Sequence, residues 1–166
     1  MRSKSKARKK TKKNQSSRPL LIYVDGSSRG NPGPSGIGIA IFAGARQSKP
    51  IQEISRYIGI TTNNVAEYEA VIHAMRWLVQ AKKKSAIIKL DSELVYKQVT
   101  GEYKVRAQHI SYQLKRITLL NRNIKDLTFA LIPRSENKYA DRLAQKASKK
   151  VKISKKIFEQ SKLIDL

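Results

Sequence analysis

Four acids stand out in a basic chain: Asp25, Glu67, Asp91 and Asp141. The chain has twelve Asp and Glu against thirty-five Lys and Arg, so each acid is conspicuous. These four sit where a carboxylate is awkward, at the ends of apolar runs or beside the apolar stripes of predicted helices. An unpaired buried charge is costly, and carboxylates resist sharing one site. A divalent cation resolves both difficulties. Two Mg²⁺ ions roughly 3.5–4 Å apart can activate a water and stabilise the leaving oxygen of an in-line displacement, and Mg²⁺ favours oxygen ligands. The chemistry that fits is metal-dependent cleavage of a phosphoester. Taken singly, each acid fits a plainer role. Asp25-Gly26 reads as a turn, and Glu67 completes a capping box with Asn64. Asp91-Ser92 caps a helix, and Asp141 is a surface acid.

The elements that must position these acids follow from periodicity. Residues 20–28, 36–43 and 52–59 read as three consecutive strands, with a Gly/Pro-rich loop over 29–35. A helix then runs from a cap at Asn63 or Asn64 to about Lys83, with Val71, Ala74, Met75 and Leu78 on its apolar face. Residues 86–91 form a strand. Ser92 caps a short helix over 93–100 that Gly101 closes, and 107–121 is a further helix. Residues 127–133 form the last strand, and Ser135 caps a final helix over 136–150. The order βββ-α-β-α-α-β-α predicts an α/β fold: a five-stranded mixed sheet, three strands antiparallel and two parallel, flanked by helices. Asp25 and Asp91 fall at carboxyl ends of strands, where sites gather in such sheets. Glu67 and Asp141 lie beside inward helix stripes. Gly33, Gly36 and Gly38 precede a strand rather than a helix, which argues against a dinucleotide loop.

Composition bounds the rest. At 166 residues with a net charge of +23, one domain with a polyanionic partner is expected. Residues 1–19 hold nine cations and no acid, which leaves +14 on the remainder. They read as a basic, disordered tail ahead of a domain at 20–150. Residues 151–166 are apolar enough to pack on the domain or a partner. The absence of cysteine excludes disulfides and Cys-ligated zinc. Neither a secretory signal nor a membrane anchor is evident, so a cytoplasmic home, inside the cell with DNA, is expected.

The motifs DGSSRGNPG at 25–33, TTNNVAEYEA at 61–70, LDSELVYKQVTGEYKV at 90–105 and ENKYADRLA at 136–144 resemble those of type 1 ribonuclease H, in order and interval. The resemblance covers about residues 20–148. It implies an endonuclease that cuts the RNA strand of RNA–DNA hybrids, leaving 5′-phosphate and 3′-hydroxyl ends, with two Mg²⁺ or Mn²⁺ ions on Asp25, Glu67, Asp91 and Asp141. It marks Gly26, Ser27, Asn31, Asn63, Asn64, Ser92, Glu93 and Asn137 as substrate contacts, some to the RNA 2′-hydroxyl that separates RNA from DNA. Double-stranded RNA as a second substrate, or a non-catalytic nucleic-acid-binding role, are the competing readings. A monomer is expected.

Three departures from the family pattern stand out. The loop before the last acid, Pro133-Arg134-Ser135-Glu136, holds no histidine, and Arg134 is the candidate to replace it. His73 and His109 read as structural. Glu93 stands where relatives often have glutamine. The segment after Gly101 is too short for a basic protrusion, as in the short archaeal and bacterial form. The C-terminal run 160–166 loosely resembles a sliding-clamp-binding peptide without its aromatic pair.

Overall fold

The computed structural model describes residues 18–149. Most of the expected basic tail (1–19) and the C-terminal segment (151–166), with its clamp-like run, lie outside the described residues. Five strands, β1 (Leu20–Ser28), β2 (Gly33–Phe42), β3 (Gln52–Thr61), β4 (Ser85–Leu90) and β5 (Asp126–Leu131), form one sheet in the order β3-β2-β1-β4-β5. The first three pair antiparallel and β4 and β5 join in parallel, as the expected mixed sheet requires. The helices are α1 (Asn63–Gln80), α2 (Glu93–Val99), α3 (Gln108–Asn121) and α4 (Lys138–Lys149), with a 3₁₀ turn at Arg134–Glu136. No helix among the described residues is long and apolar enough to cross a membrane.

Alternation along the strands divides the two faces of the sheet. Ile22, Val24, Ile37, Ile39, Ile41 and Ile88 point into a core with Val71, Ile72, Met75 and Leu78 of α1. Helix α1 is buried over much of its surface, because α3 packs on it from outside and Arg116 of α3 pairs with Glu69. The other face, under α4, is built from small residues. A Cβ on Gly38 would lie 2.0 Å from the Ala140 carbonyl oxygen, so this helix rests directly on the backbone of β2. Of the three glycines weighed against a nucleotide loop, Gly36 and Gly38 are a seat for this helix, and Gly33 lies against the backbone of Arg29.

The boundaries differ from expectation in instructive places. β2 starts at Gly33, inside the expected loop, because Gly33 and Pro34 pair with Thr61 and Ile60 of β3. Helix α1 is capped by Thr62, whose Oγ1 accepts from the Val65 N–H at 3.3 Å, rather than by Asn63 or Asn64. It stops at Gln80, just before the left-handed Lys82 (φ 52°). Helix α4 begins at Lys138 and is not capped by Ser135, which lies in the 3₁₀ turn. Ser92 caps α2 as expected, accepting from Val95 N–H at 3.5 Å.

Candidate active site

The parallel ladder between β1 and β4 ends at Tyr23–Lys89, whereas β1 stays paired with β2 as far as Ser28. Past Tyr23 the two central strands have no rung between them. Asp25 lies in that gap, inside β1 rather than at its end. Asp91 lies one residue beyond β4.

Helix α1 brings Glu67 to the same place. Gly26 makes this possible: a Cβ there would sit 2.2 Å from the Glu67 amide nitrogen. The helix therefore lies against the strand, and the Gly26 N–H donates to Glu67 Oε2 at 3.3 Å. Helix α4 supplies Asp141 from the opposite face. Gln145, one turn later, donates its amide to both carboxylate oxygens of Asp141 at 3.0 and 2.9 Å.

Asn137 closes the gap between the strands. Its side-chain amide donates to the Val24 carbonyl at 2.9 Å and to Asp91 Oδ1 at 2.7 Å. The residue is completely buried, and its Oδ1 is the one buried side-chain polar atom without a partner among the described residues. The expected substrate contact is thus an internal brace for Asp91.

A cleft of about 420 Å³ opens on these groups. Asp25, Glu67, Asp91 and Asp141 line it together with Gly26, Ser27, Asn63, Ser92 and Arg134. Arg29, Gln145, Ser148 and Lys149 complete the wall and were not singled out from sequence. The last three follow Asp141 at intervals of four, seven and eight, the spacing of one helix face. Asn31, Asn64, Glu93 and Asn137 do not line the cleft. Asn31 is exposed at its rim, and its Oδ1 accepts from the Asn63 N–H at 3.2 Å. Asn63 Oδ1 in turn accepts from the Ser28 N–H at 3.1 Å. Asn64 is half-buried in the first turn of α1. Glu93 points outward and pairs with Lys97 at 2.5 Å, which holds its carboxyl below the usual range.

The electrostatics are those of crowded acids. Burial, then the Asp91 and Asp141 carboxylates, push the Asp25 pKa up to about 8 against the opposing pull of Arg134 and the Gly26 N–H. Glu67 is raised well above the usual range by burial first, and then by Asp25 and Asp91. Of the cations lining the cleft, Arg134 is the one that opposes these shifts; its side chain is 81% exposed and lies 3.8 Å from Asp141 Oδ1, so solvent weakens its compensation. This donor set, all hard oxygens with unrelieved negative charge, fits a divalent cation such as Mg²⁺ or Mn²⁺. Among the described residues no three acidic or imidazole side chains form a ready-made cage. Asp141 is held by Gln145 and Asp91 by Asn137, so ligation requires local adjustment.

The two histidines lie elsewhere. His73 sits on α1 beside Glu69 at 3.8 Å, its pKa lowered by burial against the pull of that acid. His109 is exposed on α3.

Comparison with known proteins agrees with this geometry. A family model described as reverse transcriptase-like matches residues 23–147. A bifunctional protein of Mycobacterium tuberculosis is 36% identical over 128 residues, which is 77% of this chain and 35% of that protein's length. Ribonuclease HI of Halobacterium salinarum is 34% identical over 125 residues, 75% of this chain and 62% of the relative. The chain thus spans less than two thirds of either relative. Among solved structures, LC11-RNase H1 in complex with an RNA/DNA hybrid superposes with a TM-score of 0.73 at 38% identity, covering 79% of this chain and 97% of that one. The chain belongs to the reverse transcriptase-like family and has the fold of a type 1 ribonuclease H.

Proposed function

We propose that this chain is an endonuclease that hydrolyses the RNA strand of RNA–DNA hybrids. The observation that carries the reading is the meeting of four carboxylates, from β1, from just beyond β4 and from two helices, in one cleft where burial, and then the neighbouring acids, lift Asp25 to a pKa of about 8. The hybrid bound to a relative of the same fold supports the substrate class.

Asp25, Glu67, Asp91 and Asp141 would hold two Mg²⁺ or Mn²⁺ ions. Bound there, the ions supply an activated water and charge neutralisation at the leaving oxygen. The chain's own residues do the positioning. Asn137 fixes Asp91, Gln145 fixes Asp141, and the Gly26 N–H holds Glu67. Asn31, Asn63 and the Ser28 backbone form a hydrogen-bonded rim at the start of α1, suited to reading the RNA 2′-hydroxyl. Arg134 reaches over the cleft from the loop before α4 and takes the charge of the departing phosphate end in place of a histidine. Ser27, Ser92 and Arg29 line the same wall and contact the backbone. Attack of water on phosphorus with loss of the 3′ oxygen leaves a 5′-phosphate and a 3′-hydroxyl. The enzyme works as a single chain, inside the cell where DNA is.

The test is cleavage of a labelled hybrid with and without Mg²⁺, beside double-stranded RNA and the Asp91→Asn variant. The hybrid should be cut only with the ion, and the variant should lose at least about a hundredfold in rate. Equal cutting by the variant would place the chemistry elsewhere. Cutting of double-stranded RNA would widen the substrate class.

A further inference from the structure

Helix α4 presents Asp141 and Gln145 to the cleft and something different to solvent. Its exposed positions are Lys138, Arg142, Lys146 and Lys149. At intervals of four, four and three they fall on one helical face. All four are cations, and none of them forms an ion pair among the described residues. Arg142, Lys146 and Lys149 line a shallow groove with Gln145. Gln145 and Lys149 also line the acidic cleft, so groove and cleft share a wall.

A row of like charges destabilises an isolated helix. Here it is tolerated on a helix whose inner face is fixed by Gly36, Gly38 and Ala140. At 1.5 Å per residue the row is about 16 Å long, enough to face up to about five phosphates of one strand at a rise of 3.4 Å. Solvated lysines elsewhere differ in place. Lys83 and Lys84 are just as exposed, but they lie beyond the far end of α1, beside Lys125 at the start of β5 and away from the carboxyl ends of the strands.

We infer that the exposed face of α4 is a second, sequence-independent binding surface that tracks the phosphate backbone of the nucleic acid flanking the cleft. The inference rests on the reading of the cleft as a hybrid-cleaving site. The cations of α4 act on phosphates alone, so they set affinity and salt dependence and leave the chemical step untouched.

The experiment compares two triple variants of the full chain with equal change in charge. One is Lys138→Glu/Arg142→Glu/Lys146→Glu on α4. The other is Lys83→Glu/Lys84→Glu/Lys125→Glu at the far end of the sheet. Binding of a labelled RNA–DNA hybrid is followed by anisotropy in EDTA over a salt series, and cleavage is measured with Mg²⁺ on the same samples. The α4 variant should lower the magnitude of the log–log salt slope by about 2–3, at roughly 0.9 per lost phosphate contact, and raise KM with kcat within about twofold. The far-end variant should change the slope by less than about 1. Equal slopes for the two variants, or a fall in kcat with unchanged KM, would overturn the inference. The matching Gln variants, which remove charge without reversing it, should give the same ranking; a loss seen only with Glu would also overturn it. A parent chain that binds the hybrid with this slope difference yet does not cut it upholds the α4 surface and rejects the hydrolase reading.

Discussion

The two faces of the sheet are built by opposite means. Under α1 the sheet offers isoleucines, and the gap is filled by large side chains such as Tyr68, Ile72 and Met75. Under α4 it offers Gly36, Gly38 and Ala40, and the helix backbone comes into direct contact. Taking one methyl from the first face should cost less than adding one to the second, because the lost methyl leaves only a small cavity whereas the added one overlaps helix backbone. The contrast bears on the site. Glu67 and Asp141 arrive from the two sides, and both depend on a glycine that lets a helix sit close, Gly26 for one and Gly38 for the other.

The largest expected effect comes from the acid between the two faces. Asp25→Asn should cost at least about a hundredfold in hybrid cleavage and yet stabilise the metal-free protein. The folded pKa of about 8 exceeds the ordinary 3.8. The folded state therefore keeps a proton that the unfolded chain has released. Stability from this group is full below about pH 3.8 and is lost as pH rises towards about 8. Urea titrations in EDTA should show the parent weakening across that window and the variant weakening less. A variant as pH-sensitive as the parent would mean that Asp25 is not the strained group.

Next in size is Gly38→Ala. The added methyl meets the Ala140 carbonyl, so a loss of about 3 kcal/mol in denaturant unfolding is expected, with activity falling as α4 shifts. Asn137→Ala should cost about 1–3 kcal/mol, because the Val24 carbonyl loses its buried donor. Its rate should fall too, and the Mg²⁺ needed for half-maximal activity should rise as Asp91 loosens. Smallest is Ile39→Val on the α1 face, at about 1 kcal/mol with cleavage unchanged. If trimming Ile39 cost more than adding a methyl at Gly38, the contrast between the faces would be wrong.

Much of this was legible in the chain. The strands and helices announce themselves by period, and four acids at the ends of apolar runs or beside helix stripes foretold a shared site. What could not be read depends on neighbours distant in sequence. Thr62, Asn63 and Asn64 are all good caps. The Asn63 side chain is taken by Ser28, 35 positions away, and Thr62 is the residue that caps the helix. Asn137 reads as a polar residue near a cleft, and its burial depends on Val24, 113 positions earlier. The small face under α4 shows in the chain as Gly36, Gly38 and Ala40 alternating with isoleucines, but the alternation does not say that a helix sits there, since glycine marks turns and close contacts alike. Glu93 reads as a substrate contact by its place in the motif, and only the fold shows it paired with Lys97 and off the cleft.

The brace at Asn137 makes α4 a gauge for the width of the cleft. The sheet stops measuring the distance between its two central strands at Tyr23 and Lys89. Beyond that rung, one amide at the threshold of α4 spans the interval, touching the backbone just before Asp25 and the carboxylate of Asp91. The separation of two of the acids is thus calibrated from outside the sheet, by how deeply a helix is seated on glycine.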